Sequence, residues 1–249
     1  MQEKTSALVL REVRVGECDK LLTVLTPDLG KITVKARGAL RKGSRISSAS
    51  QLFAFSDMTL FQASARWTLD EAEPIELFCP LRERVESLAL AAYVAEVLDA
   101  LSDADAGCAD LLRLGLNTLF AISEQTAPED RIRAAFELRA AVLGGYAPDP
   151  GDDQSPVCVV CGKADPLFLC PDAGGVYCRE HLPPGQGAHP LRAGAGEALC
   201  YVTGCDLKRL FAFRLSPEGQ KSLSAAAEQY LSVSLARNFR TLGYYKQFL

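Results

Sequence analysis

The most constraining stretch of this 249-residue sequence runs from Cys158 to His181. It reads Cys158-Val-Val-Cys161-Gly162 and closes with Cys178-Arg-Glu-His181. Each pair sets two ligands on one tight turn, and two such turns can surround a single tetrahedral ion. Gly162 stands where a turn that folds its own N–H groups toward thiolates needs a positive φ. Between the pairs, Phe168 to Tyr177 has the pattern of a hairpin turning at Asp172-Ala-Gly-Gly175, which would return Cys178 to the first pair. The expected ligands are Cys158, Cys161, Cys178 and His181, holding one structural zinc per chain. Cys170 lies between the pairs and is the alternative to His181 as fourth ligand. A catalytic zinc needs an open position and a nearby base, and a full Cys/His set leaves neither. Glu180 reads as a solvated residue at a helix start.

Disulfides are the competing account of these cysteines. The sequence shows no signal peptide and no apolar run of transmembrane length, so a reducing, cytoplasmic compartment without membrane attachment is expected. Cys18, Cys79, Cys108, Cys200 and Cys205 are scattered and read as small buried hydrophobes. With His181 and His189 as the two histidines, a Ser-His-Asp or Cys-His catalytic arrangement has little support, and no enzymatic activity is expected.

A change of period divides the chain. Residues 6–13, 20–25 and 31–36 alternate or run β-branched, Leu52–Phe55 leads into Met58–Phe61, and Thr68-Leu69 and Ile75–Phe78 complete the set. Around five strands in the first 80 residues predict a small closed barrel of the OB type, with an SH3-like barrel as its rival. After Pro80 the apolar spacing becomes helical over 81–101, 110–122 and 129–143, then over 193–201, 206–212 and 216–236. The expected architecture is α+β and multidomain: a barrel over 1–80, a helical domain over 81–249, and a zinc-finger module over 150–187 inserted in the helices. Loop-like stretches at 149–156 and 183–187 bound the module.

The net charge of −4 argues against an indiscriminate nucleic-acid binder, but charge is unevenly spread. Residues 81–202 carry 9 basic and 18 acidic side chains, whereas 203–249 carry 7 and 3. No acid stands between Asp28 and Asp57, a gap holding Lys31, Lys35, Arg37, Arg41, Lys42 and Arg45. Even spacing puts Lys31, Lys35 and Arg37 on one face of a strand and Ile32, Val34 and Ala36 on the other. With a basic loop following, this is the pattern of a groove that tracks phosphates, the alternative being a merely solvated face. Phe53, Phe55, Phe61 and Trp67 are candidates for base stacking or for core.

These pieces together resemble the bacterial DNA repair protein RecO family along the whole chain. The resemblance rests on Leu8-Val-Leu10, Lys20 to Thr26, Gly30-Lys31 and Lys35-Ala-Arg-Gly38. It continues in Phe136-Glu-Leu-Arg139, in Leu143-Gly-Gly-Tyr-Ala-Pro148 and in the Cys158–His181 finger. It implies an OB-fold that binds single- and double-stranded DNA and a helical domain carrying a zinc finger. It further implies a non-enzymatic mediator that anneals complementary strands and, with RecR and RecF, helps RecA replace single-stranded DNA-binding protein. Family members commonly end the finger in Cys where this chain has His181. A basic, apolar-rich 203–249 suits the acidic, apolar-ended tail of single-stranded DNA-binding protein, with Lys208, Arg209, Arg237 and Arg240 at the rim. Readings from other classes are a GTPase-activating zinc module using Arg179 and a plain interaction scaffold.

Overall fold

Strict in–out alternation builds the first half of the chain. In the computed structural model, which describes residues 1–64, 66–104, 106–152, 154–184 and 187–249, five strands carry it. They are β1 (Gln2–Val15), β2 (Asp19–Leu25), β3 (Lys31–Ala36), β4 (Phe55–Ala63) and β5 (Arg66–Glu76). They close into a barrel in the order β1-β2-β3-β5-β4, antiparallel except where β3 meets β5. This is the five-stranded OB arrangement. Val9, Leu22, Val24, Ile32, Val34, Met58, Leu60 and Leu69 fill its interior as one cluster. The two short strands expected around Thr68 and Ile75 are one strand. Ser56 pairs with Pro74 and Phe55 with Glu76, so Ile75 bulges beside the proline, which cannot donate to the ladder.

The chain clusters into two compact units, residues 1–123 with 241–249 and residues 124–240. The barrel's unit therefore also contains α1 (Val85–Leu101) and α2 (Ala109–Ser123). α1 buries Leu90, Tyr93, Val94, Val97 and Leu98 at helical spacing, while Val85 and Leu88 of its first turns are exposed.

The second unit is built on α3 (Glu129–Leu143), α4 (Ala195–Gly204) and α5 (Pro217–Ser234). α5 starts as its sequence predicts: the Ser216 hydroxyl accepts from the Gly219 N–H at 3.2 Å, with Pro217 in the first turn. Between α3 and α5, buried Arg133 donates to Glu137 at 2.8 Å and to Glu228 at 3.1 Å. The helix expected over 206–212 is a single turn, Leu207–Arg209, because the Asp206 carboxylate caps the Lys208 N–H and closes the turn on itself. The segment between α3 and α4 holds the expected hairpin, β6 (Leu167–Cys170) with β7 (Gly175–Cys178), and a further strand, β8 (His189–Leu191), on β6. Asp153, Gly185 and Gln186, from the two predicted linkers, lie outside the described residues. A short α6 (Arg240–Tyr245) follows. No helix among the described residues is long and apolar enough to cross a membrane.

Candidate metal centre and nucleic-acid face

Two turns converge on the cysteine cluster. In the first, the Gly162 N–H donates to the Cys158 carbonyl at 2.8 Å and the Cys158 N–H donates to Lys163 at 2.8 Å. Gly162 takes φ +71°, a conformation open to glycine and strained for other residues. The Val159 N–H donates to the Val176 carbonyl at 3.0 Å, which ties this turn to β7. Cys178 ends β7, and His181 follows in the turn Arg179–His181.

The ligand atoms of Cys158, Cys161, Cys178 and His181 all lie within 4.8 Å of one another. Cys161 and Cys178 Sγ are 3.7 Å apart, and His181 Nδ1 lies 3.2 Å from Cys178 Sγ and 4.0 Å from Cys158 Sγ. A tetrahedral ion with Zn–S bonds of about 2.3 Å holds its sulfurs about 3.8 Å apart, so the donor set and its spacing fit a zinc ion. Burial of Cys158 opposes its ionisation, yet peptide N–H groups of Cys178, Val160 and Cys161 bring its pKa down to about 6.

Cys170 stands apart from this cluster for a reason written in the pleat. Leu167 pairs with Cys178, so those two side chains share a face of the hairpin, and Cys170, three residues on from Leu167, projects from the other. Burial pushes its thiol up to about 11. Glu180 is exposed, as expected, and pairs with Lys163 at 2.6 Å. Arg179 is exposed beside it.

On the barrel, β3 alternates with Ile32, Val34 and Ala36 inside and Lys31 and Lys35 outside, but it ends at Ala36, so Arg37 lies in the following turn and not on the strand face expected for it. The predicted cations do not all stay together. Lys31 pairs with Asp99 of α1 at 3.1 Å. Lys35 pairs with Asp19 of β2 at 3.1 Å, and the other Asp19 oxygen accepts from the Gly38 N–H at 2.8 Å. That N–H first, then Lys35, holds the Asp19 carboxyl below its ordinary range, with Arg41 adding to the pull. Arg37, Arg41, Lys42 and Arg45 are exposed and make no ion pair within 4.0 Å among the described residues. Arg45 lines a separate groove of 890 Å³ with Lys4, Asp57, Asp70, Glu71 and Glu73.

Strand register sets three residues on the row of Lys35, one of them the stacking candidate Phe61. Leu21 pairs with Lys35, Lys35 with Thr68, and Thr68 with Phe61, so the four share one outward row around the barrel. Phe61 is 50% exposed and stands two strands, about 10 Å, from Lys35. Phe53 is buried at φ +66°, and Trp67 packs partly against the barrel core. Of the aromatic candidates, Phe61 is the one placed on the row of Lys35.

Residues 1–78 match the family described as recombination protein O N terminal, and residues 82–243 the one described as recombination protein O C terminal. Curated relatives are similar over nearly their whole lengths. The DNA repair protein RecO of Acetivibrio thermocellus is 29% identical, covering 98% of this chain and 96% of that protein. The RecO of Symbiobacterium thermophilum is 31% identical, covering 94% and 92%. That of Pelotomaculum thermopropionicum is 30% identical, covering 98% and 94%.

Proposed function

Because this chain belongs to the recombination protein O family of DNA repair proteins, we propose that it is a non-enzymatic recombination mediator. In this reading it binds single- and double-stranded DNA through the barrel, anneals complementary strands, and assists RecA loading with RecR and RecF. The functional division falls at residue 80: the barrel of 1–80 holds DNA, the helices of 81–249 hold protein partners, and the finger of 150–187 is kept folded by one zinc ion on Cys158, Cys161, Cys178 and His181. The work is cytoplasmic, on nucleoid DNA.

The observation that carries the DNA reading is the outward row of Lys35 and Phe61, flanked by the exposed cations Arg37, Arg41 and Lys42. Strands 2 and 3 of an OB barrel, with their adjoining loops, are where oligonucleotides bind in this fold. Lys31 and Lys35 each hold a carboxylate at 3.1 Å that a phosphate must displace, and Arg45 faces its acidic groove. Phosphate contacts of this kind carry no sequence preference and leave base edges free to pair, which annealing requires.

The test is a salt titration of binding to single strands of unrelated sequence. Lys35→Ala with Arg37→Ala is expected to lower affinity equally for all of them, reduce the salt slope by about 1.4 for two lost phosphate contacts, and slow annealing. Wild-type binding and annealing by that variant at every salt concentration would place the DNA elsewhere.

Single-stranded DNA-binding protein is the remaining partner. Lys208, Arg209, Arg237 and Arg240 are all exposed, and the Arg237 guanidinium lies 5.7 Å from the Phe239 ring centre. An acidic tail ending in an apolar residue suits such a surface. Lys208→Glu with Arg209→Glu is expected to slow association of a tail peptide about tenfold at low salt. An unchanged on-rate sinks this assignment.

A further inference from the structure

A second cavity, of 420 Å³, lies where the β6–β8 edge meets the first turn of α5. Phe168 and Pro190, directly opposed across the β6–β8 pair, supply apolar lining. Arg179 and Arg192 line it too, both exposed and neither within 4.0 Å of a carboxylate among the described residues. Asp165 and Glu218 complete the polar lining, and they likewise make no ion pair within that distance. The metal ligands are not part of this lining.

We propose that this cavity takes one unstacked nucleotide of single-stranded DNA, its base against Phe168 and Pro190 and its flanking phosphates on Arg179 and Arg192. The proposal rests on the DNA-binding reading above and extends it to a second contact, on the finger. Ligand pockets run from roughly 300 to 1,000 Å³, and this one sits at the small end, with room for a single base and its sugar. An aromatic ring is the usual platform for a base taken out of its stack, and stacking tolerates any sequence. Arginine's planar fork suits phosphate oxygens.

The two carboxylates decide between a nucleotide and an acidic peptide. A carboxylate-rich tail would meet Asp165 and Glu218 as like charges. A nucleotide's phosphates would meet them likewise, but its base offers donors that those carboxylates can accept, the amino groups of cytosine, adenine and guanine or the N3–H of thymine and uracil. A base paired in a duplex cannot enter, so the finger gives the protein a preference for unpaired strands that a phosphate-tracking barrel alone does not supply.

The experiment uses the full-length, metal-containing protein with three probes: a single strand of about 20 nucleotides carrying one 5-iodouracil, the matching duplex, and a polyglutamate peptide. Photocrosslinking is expected to join the iodouracil to Phe168, and Phe168→Leu to abolish that crosslink with metal content unchanged. Arg179→Ala with Arg192→Ala is expected to weaken single-strand binding about tenfold and lower its salt slope by about 1.4, with duplex affinity changed less than about twofold. Equal losses on single strand and duplex, unchanged single-strand binding, or crosslinks confined to the barrel would overturn the proposal. So would a variant that loses the peptide and keeps the DNA, which would assign the cavity to an acidic protein. Should the arginine variant misfold, the crosslink on wild type and Phe168→Leu still decides. If Lys35→Ala with Arg37→Ala weakens DNA binding and the cavity variants do not, only the cavity fails. If the wild type binds no DNA, both readings fall.

Discussion

Cys178→Ser is expected to strip the protein of its metal, from about one zinc per chain to below about 0.1, and to unfold residues 150–187. Cys178 is one of the four proposed ligands and at the same time ends β7, so its loss would open the metal shell and the hairpin together. Structural zinc sites contribute on the order of 10 kcal/mol to isolated fingers at neutral pH, far more than a three-stranded sheet this short can replace. Metal analysis of purified protein and limited proteolysis within the module give the readout. Cys170→Ser is the matched control. It exchanges a buried thiol outside the cluster for a hydroxyl and is expected to keep the zinc while losing about 1–3 kcal/mol. Full zinc in the Cys178 variant together with its loss from the Cys170 variant would reassign the ligands.

The second large effect is expected at Arg133. Its guanidinium is buried between Glu137, which has no exposed surface, and Glu228. Arg133→Ala would remove that cation from beside the buried Glu137 carboxylate, and breaking a buried pair from one side costs about 3–5 kcal/mol. Urea denaturation followed by helical circular dichroism measures it. Arg133→Met with Glu137→Leu removes both charges and fills the space, so most of the loss is expected to return, with Glu228 turning to water. A loss below about 1 kcal/mol in the single variant would show that the pair is solvated in solution.

Local pattern made the barrel legible, and distance in sequence hid its counter-ions. β3 could be read because Lys31, Ile32, Val34, Lys35 and Ala36 alternate within six residues, and alternation is a property of the strand alone. Residues 29–56 hold no acid, yet Lys31 and Lys35 both find one, because pairing brings Asp19 of β2 and packing brings Asp99 of α1 to them. Phe61 reaches the row of Lys35 only through two registers, which no single strand encodes. The choice between Cys170 and His181 had the same character. Both are near the second pair in sequence, and the parity of the β6–β7 register, with Leu167 opposite Cys178, separates them. Asp206–Ala212 shows the opposite failure: its apolar spacing suits a helix, but Asp206 satisfies the first N–H within one turn.

Asp19 gives the proposed DNA face a property beyond its charge. Its carboxylate is held by the Gly38 N–H as well as by Lys35, which gives Lys35 a fixed partner to return to. A phosphate arriving there displaces a partner that stays in place, and a departing phosphate leaves no naked cation behind. Capture and release at Lys35 become an exchange between two anions of equal sign, with little net desolvation in either direction. Grip at that position is therefore weak per contact and quick to let go. In the proposed annealing role, where a strand is held until its complement arrives and both are then released, a cation with a resident substitute is a hand built to open.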